Sequence, residues 1–227
     1  MKKKVVIIGA GGFGREVLDV IYACNETKGD AFDPLGFVVD SQYGTSGTIV
    51  NGLPILGGFE WLEKNRHSVF VSCGVGSPQH RYHLIKRARE IGCQFFSVVH
   101  PSAIVTNWVQ IGVGVVITAG CILTNQIKIG NHVHINLAST IGHDVVVDDF
   151  STLAPGVHIS GNVTIAEGAY IGTGANILEK ITVGEWSIIG AGSTIVKEVL
   201  ANTTVVGVPG KEIKVREAGW YREKAGQ

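Results

Sequence analysis

Residues 5–8 form a short unbroken apolar run closed by Gly9, the pattern of a strand buried on both faces. From Gly14 onward, Val17, Leu18, Val20 and Ile21 recur at helical spacing. Residues 36–39 and 69–73 give a second and a third strand. Pro78 opens a further helix whose apolar face is Leu84, Ile85, Ala88 and Ile91, with Gly92 as its cap. Residues 94–98 complete the series. Strands alternating with helices predict a small parallel sheet covered by helices over residues 1–99.

The hydrophobic pattern changes period after residue 100. Every sixth position from Ile111 to Ile195 is Ile, Leu or Val without exception, fifteen in succession. Two places before each stands a small or aliphatic residue, such as Val109, Cys121, Ser139, Ala169 or Ser187. Glycine often follows the aliphatic position, as at Gly112, Gly130, Gly142, Gly172, Gly184 and Gly190. An α-helix would spread a period of six around its circumference, because six is not a multiple of 3.6. Short strands joined by tight turns can instead aim one aliphatic side chain inward per facet. Three facets close a triangular coil of eighteen residues, and stacked coils pair their backbones about 4.8 Å apart. Compact corners explain the Gly and Asn usage. Residues 100–227 are therefore read as a parallel β-helix in which positions eighteen apart form columns.

Composition narrows the function classes. The chain has 227 residues with 31 glycines, but no period of three, which excludes a collagen helix. It is 45% apolar, which argues against disorder. The 19 basic and 19 acidic residues balance, which argues against nucleic-acid binding and a charged membrane surface. No apolar stretch reaches the length of a bilayer span. The lysines before residue 5 superficially suggest a signal peptide, but the apolar run ends at Gly9 and Arg15-Glu16 follow. Cys24, Cys73, Cys93 and Cys121 form no C-x-x-C pair, so a reducing cytoplasm is the expected location.

Two sets of residues can carry chemistry. Gly9, Gly11 and Gly14 fit G-x-G-x-x-G between a strand and a helix, where backbone N–H groups can cradle phosphate. Asp40, ending the second strand, can hold a ribose hydroxyl. A nicotinamide dinucleotide, a nucleotide sugar and a purely structural turn all use such a loop. A domain of this size holds only half of a two-unit dinucleotide fold, which suits one nucleotide diphosphate. Among the eight histidines, His143 lies two places after the inward Ile141, in a slot turned away from the core, and Asp144 follows it. A neighbouring carboxylate can fix an imidazole tautomer and stabilise the imidazolium. Asn125 and Gly161 stack one coil before and one coil after His143.

These motifs together resemble the hexapeptide-repeat acyltransferases with a left-handed parallel β-helix. The branch is that of the sialic-acid O-acetyltransferases and bacillosamine (nucleotide-4-amino-sugar) N-acetyltransferases. The resemblance spans Gly9-Ala10-Gly11-Gly12-Phe13-Gly14, the hexapeptides, the segment from Asn136 to Asp144, and the tail from Val205 to Lys211. It implies an α/β nucleotide-sugar-binding half-domain before the β-helix, a homotrimer, acetyl-CoA as co-substrate and no metal. It implies His143 as general base with Asp144 as its orienter. Gly11, Gly12, Phe13, Asp40, Gly74 and Asn136 are implied to bind the nucleotide sugar. Thr152, Gly161, Thr173, Val208, Pro209 and Lys211 are implied to contact acetyl-CoA, with the Gly161 N–H holding the thioester oxygen. Some relatives carry histidine in place of Phe13 and a second acid in place of Ser41, so the base and the sugar do not carry over. The activity so implied is N-acetylation of a nucleotide-linked amino sugar, with O-acetylation of a sialic acid as the alternative.

Two other classes share parts of the pattern. A zinc hydro-lyase built on hexapeptide coils combines a histidine pair five apart with a distant third ligand. His132, His134, His143 and His158 contain no such pair. A non-catalytic solenoid would account for the repeat and leave His143-Asp144 without a role.

Overall fold

The structure, a computed structural model, describes residues 2–29 and 31–223. Its N-terminal part runs β1 (Lys3–Ile8), α1 (Gly12–Lys28), β2 (Phe32–Val38), β3 (Ile49–Val50), β4 (Leu53–Gly57), α2 (Phe59–Asn65), β5 (Phe70–Cys73), α3 (Pro78–Glu90) and β6 (Gln94–Phe95). The sheet order is β3-β4-β2-β1-β5-β6, parallel except for the β3–β4 hairpin. Alternation along β1 explains its unbroken apolar run. Val5 and Ile7 pack with Val17, Leu18 and Ile21 of α1, while Val6 and Ile8 pack with Leu62 of α2 and Ile85 of α3. Both faces of the strand are covered.

The β-helix ladder starts earlier than the sequence suggests. Val98–Val99 pairs with Val116–Ile117 of the first coil, so only Gln94–Phe95 of the expected last strand joins the N-terminal sheet. From there the chain winds as a left-handed parallel β-helix whose pairs are eighteen residues apart, such as His134↔Thr152, Thr140↔His158 and Val146↔Thr164. Three sheets form its sides. The first carries His134–Ile135 and Thr152–Leu153, the second Thr140–Ile141 and His158–Ile159, the third Val146–Val147 and Thr164–Ile165. The inward aliphatic residues from Leu123 to Ile195 form one buried cluster down the axis.

The corners divide their work between two kinds of position. Every sixth residue from Gly114 to Gly192 has a positive φ, and the set includes Gln126, His132, Ala138, Asp144, Phe150, Asn162, Lys180 and Trp186. The glycines that follow the inward residue do not supply this left-handed turn. A Cβ on Gly142 would lie 2.8 Å from the Ser160 carbonyl carbon, and one on Gly172 would lie 2.6 Å from the Ala191 nitrogen. Those glycines let neighbouring coils approach, while the turn is made two residues later by mostly ordinary residues.

The two domains share their cores. Val98 and Val116 of the first side join the cluster of α1, and the corner residues Phe150 and Trp186 join that of α2 and α3. The N-terminal domain thus sits on the first side and on the corner between the third and first sides. Beyond the last coil, Thr203–Val206 and Lys211–Val215 form an antiparallel hairpin. Tyr221 then stacks on Trp186 at 3.7 Å. Among the described residues, no helix is long and apolar enough to cross a membrane.

Truncating one inward residue tests how much each rung contributes. Ile165, fully buried in the axial cluster, should lose about 2–5 kcal/mol on Ile165→Ala in chemical denaturation. A loss below about 1 kcal/mol would mean that the rungs do not form a close-packed core.

Candidate active site

The first half of the site lies at the carboxyl ends of β1, β2 and β5, where parallel sheets bind ligands. Gly11 caps α1 with no side-chain hydrogen bond, and the first turn carries no acidic residue. The N–H groups at residues 11–13 therefore face outward with no protein acceptor among the described residues, a ready seat for a diphosphate. A Cβ on Gly11 would meet nothing within 4 Å. Gly14 and Gly74 are packed differently. A Cβ on Gly14 would lie 2.0 Å from the Gly9 carbonyl oxygen, and one on Gly74 would lie 2.4 Å from the Gly14 Cα. Those positions join strand to helix closely; Gly11 and Gly12 leave room for a ligand. Asp40 stands at the end of β2, and Arg87 of α3 donates to its Oδ1 at 3.1 Å.

The second half lies on the edge between the second and third sides of the β-helix. His143 Nδ1 and Asp144 Oδ2 are 2.7 Å apart, with side chains 62% and 52% exposed. Nδ1–H donation to the carboxylate leaves Nε2 with a free lone pair. Asp144 occupies one of the left-handed corner positions, at φ 59°, and its N–H donates to the Asn125 carbonyl at 3.0 Å. The imidazole lies over Gly161: a Cβ there would be 2.6 Å from Nε2. A side chain at this position would displace the ring. The Gly161 N–H has no protein acceptor among the described residues and lies beside that ring.

Other expected residues gather at the edge between the first and second sides. Thr173 is exposed there, and its carbonyl accepts from Gly192 N–H at 2.8 Å. The hairpin turn carrying Val208 and Pro209, with Lys211 just after it, is bound to the preceding coil through Gly207 N–H to Ser193 Oγ at 3.0 Å. Asn136 sits on the same edge, its Oδ1 accepting from the Leu137 N–H. The polar column Thr140, His158, Asn176 and Thr194 runs down the second side between this edge and His143.

Thr152 is placed elsewhere than expected. It is buried on the first side, donates to the Gly76 carbonyl at 2.8 Å and accepts from Arg81 at 2.9 Å. Its hydroxyl belongs to the domain interface, away from the edge carrying Thr173 and Pro209. Arg81 and His134 in that interface were not singled out by the sequence, because neither the helix period nor the hexapeptide period shows which outward positions another domain covers.

Cradle and histidine do not meet within one chain. The N-terminal domain lies on the first side, His143 lies on the opposite edge, and the aliphatic core is between them. Among the described residues, no group of three or more His, Cys, Asp or Glu side chains could hold a metal ion. Cys24, Cys73, Cys93 and Cys121 are all buried.

A regular hexapeptide β-helix with an edge His–Asp pair over glycine, attached to half of a nucleotide-binding fold, is the architecture of the hexapeptide-repeat acyltransferases. Comparison with known proteins agrees. Residues 4–88 match the PglD N-terminal domain, and residues 162–197 match the bacterial transferase hexapeptide (six repeats). The acetyltransferase domain of PglB from Neisseria gonorrhoeae is 32% identical, with a TM-score of 0.84 over 93% of this chain and 100% of that one. Perosamine N-acetyltransferase from Caulobacter crescentus, crystallised as a histidine variant with CoA and GDP-perosamine, is 28% identical. Its TM-score is 0.85 over 93% of this chain and 97% of that one. UDP-N-acetylbacillosamine N-acetyltransferase of Bacillus subtilis (strain 168) is 33% identical over 127 residues, which span 52% of each protein. The chain belongs to the hexapeptide-repeat sugar acetyltransferases that carry a PglD-type N-terminal domain.

The domain interface gives a pH signature. Burial, then the charges of Arg89 and Arg81, push the pKa of His132 down to about 3, against the opposing pull of Asp149. Burial and Arg81 hold His134 well below its ordinary value. Below pH 6.5 the unfolded chain takes up protons that the folded chain refuses, so stability falls as pH falls. Each such histidine contributes a slope of roughly 1.4 kcal/mol per pH unit. His132→Phe, whose ring can stack on Phe150 as the imidazole does, should flatten the stability curve between about pH 6 and pH 4 by that slope. Parallel curves for variant and wild type would contradict a neutral buried His132.

Proposed function

We propose that the protein is an acetyl-CoA-dependent N-acetyltransferase acting on the amino group of a nucleotide-linked amino sugar. The observation that carries this reading is the His143–Asp144 pair lying over Gly161, in a chain that also holds an uncapped glycine cradle. An amine is favoured over a hydroxyl acceptor because the bacillosamine and perosamine relatives are N-acetyltransferases.

In this mechanism the diphosphate rests on the N–H groups of Gly11, Gly12 and Phe13, and Asp40 holds the nucleoside. The sugar nitrogen attacks the thioester carbonyl of acetyl-CoA while His143 Nε2 removes its proton, and Asp144 stabilises the imidazolium. The developing oxyanion is met by the Gly161 N–H. The tetrahedral intermediate collapses with the C–S bond breaking, and the imidazolium proton passes to the departing thiolate. Amide and free thiol are the products. Thr173, Val208, Pro209 and Lys211 would line the coenzyme A channel.

The separation of cradle and base supports a homotrimer in which the sugar held by one copy meets His143 of another. Ile104, Trp108 and Ile122 give this surface an exposed apolar patch, at 59%, 63% and 38% exposure, which a neighbouring copy would cover. Use of acetyl-CoA and a nucleotide sugar supports a cytoplasmic location.

Thiol release from acetyl-CoA should be seen with one member of a panel of UDP-, GDP- and dTDP-linked 4-amino sugars. His143→Ala should lower that turnover by roughly 10² to 10⁴-fold. Gly161→Ala, which forces the imidazole off its seat, should also reduce it without loss of fold. Turnover only with a free or CMP-linked sialic acid would overturn the amine assignment, and a loss below tenfold in His143→Ala would overturn the base.

A further inference from the structure

Arg81 of α3 is fully buried, and among the described residues no carboxylate is one of its partners. A desolvated cation of this kind is costly, the more so because its Nε meets no acceptor among the described residues, and apolar packing would join two domains at less expense. Its hydrogen bonds divide between the domains. Nη1 donates to the carbonyls of Val75 at 2.9 Å and Gly76 at 3.1 Å, in the loop that follows Gly74. Nη2 donates to the carbonyls of Phe150 at 2.6 Å and Ser151 at 3.1 Å, and to Thr152 Oγ1 at 2.9 Å. Nη1, whose two hydrogens are shared among three acceptors, also meets His134 Nδ1 at 3.0 Å. Because guanidinium only donates, His134 accepts at Nδ1 and carries its proton at Nε2. The ring of His134 then contacts Phe13 of the glycine loop, with centroids 4.8 Å apart. Thr152 closes the circuit by donating to the Gly76 carbonyl.

One side chain therefore holds both margins of the cradle: the 74–77 loop directly, and the glycine loop through His134 and Phe13. We propose that Arg81 is a positioning residue, seated on His134 and Thr152, that fixes the attitude of the nucleotide cradle on the β-helix and so the place at which the sugar amine is presented. The inference rests on the N-acetyltransferase reading for its kinetic consequence, but not for its structural one. The planar fork explains why arginine is needed, since lysine would offer a point charge that cannot span both sets of acceptors. A small displacement of the cradle is amplified in rate, because misplacement by about 1 Å can cost on the order of 10²-fold.

The test compares Arg81→Lys, His134→Gln and His134→Leu with wild type in two readouts. In amide hydrogen exchange, peptides containing Gly74, bonded to the Ile8 carbonyl, and Arg15, bonded to the Gly11 carbonyl, are followed against peptides from coils 158–195. Arg81→Lys and His134→Leu should accelerate the first set by at least about tenfold while the coils stay unchanged, as expected of local opening. His134→Gln, which keeps an acceptor for Arg81 but loses the ring against Phe13, should match wild type at Gly74. In steady-state kinetics with the active member of the sugar panel, Arg81→Lys and His134→Leu should lower kcat/KM for the nucleotide sugar by roughly 10 to 100-fold. The KM for acetyl-CoA should stay the same. Unchanged exchange at Gly74 and Arg15, or a uniform acceleration through every coil, would overturn the proposal. So would equal losses in His134→Gln and His134→Leu. If wild type acetylates no sugar of the panel, the functional reading fails, and the exchange comparison still decides the role of Arg81.

Discussion

One constraint organises the molecule: an aliphatic side chain must turn inward at every sixth residue so that three short strands close around a dry core. It fixes the columns, because residues eighteen apart are then hydrogen-bonded neighbours. It fixes the corners, where a left-handed residue recurs at the same period. It also sets what cannot touch what. A core filled by Ile135, Ile141, Val147 and Leu153 keeps the first side apart from the opposite edge, so the domain docked on one is separated from the histidine exposed on the other.

The chemistry follows from small consequences of that winding. Asp144 sits in a left-handed corner, which places its carboxylate beside the imidazole one residue earlier. Gly161 lies one coil further on, and the absence of a side chain there gives the ring its seat. On the far side, the outward positions of the same coils serve the domain interface. His134 and Thr152 differ from Thr140 and His158 only in which side of the prism they occupy, yet the first pair is buried in a cation-centred network and the second belongs to an open polar column.

Much of this was legible in the sequence because it is periodic. The hexapeptide rule located the inward residues, the slot of His143 and its stacking on Gly161, and the apolar run of β1 announced a strand covered on both faces. The resemblance supplied the handedness. Less legible were features that depend on contacts distant in the chain. Arg81 reads as one more basic residue of α3, and nothing local shows that its side chain enters the other domain. Thr152 carried an expected acetyl-CoA contact, but its column faces the N-terminal domain. The sequence pattern presents the corner glycines as turn formers, whereas Gly142 and Gly172 keep coils in close approach and many of the turns fall to other residues, as large as Phe150 and Trp186. The β3–β4 hairpin and α2 escaped notice because Pro54, Gly57 and Gly58 interrupt the hydrophobic period there.

If cradle and base act together only across two copies of the chain, mixed oligomers will reveal it. His143→Ala removes the base. Gly11→Asp places a carboxylate in the open space of the cradle, where it caps α1 and repels a diphosphate without steric conflict. Each variant alone should be inactive, and oligomers assembled from both chains should recover acetyl transfer, because some sites then join an intact cradle to an intact His143. Mixed oligomers as inactive as the pure variants would instead place both halves of each site in a single chain.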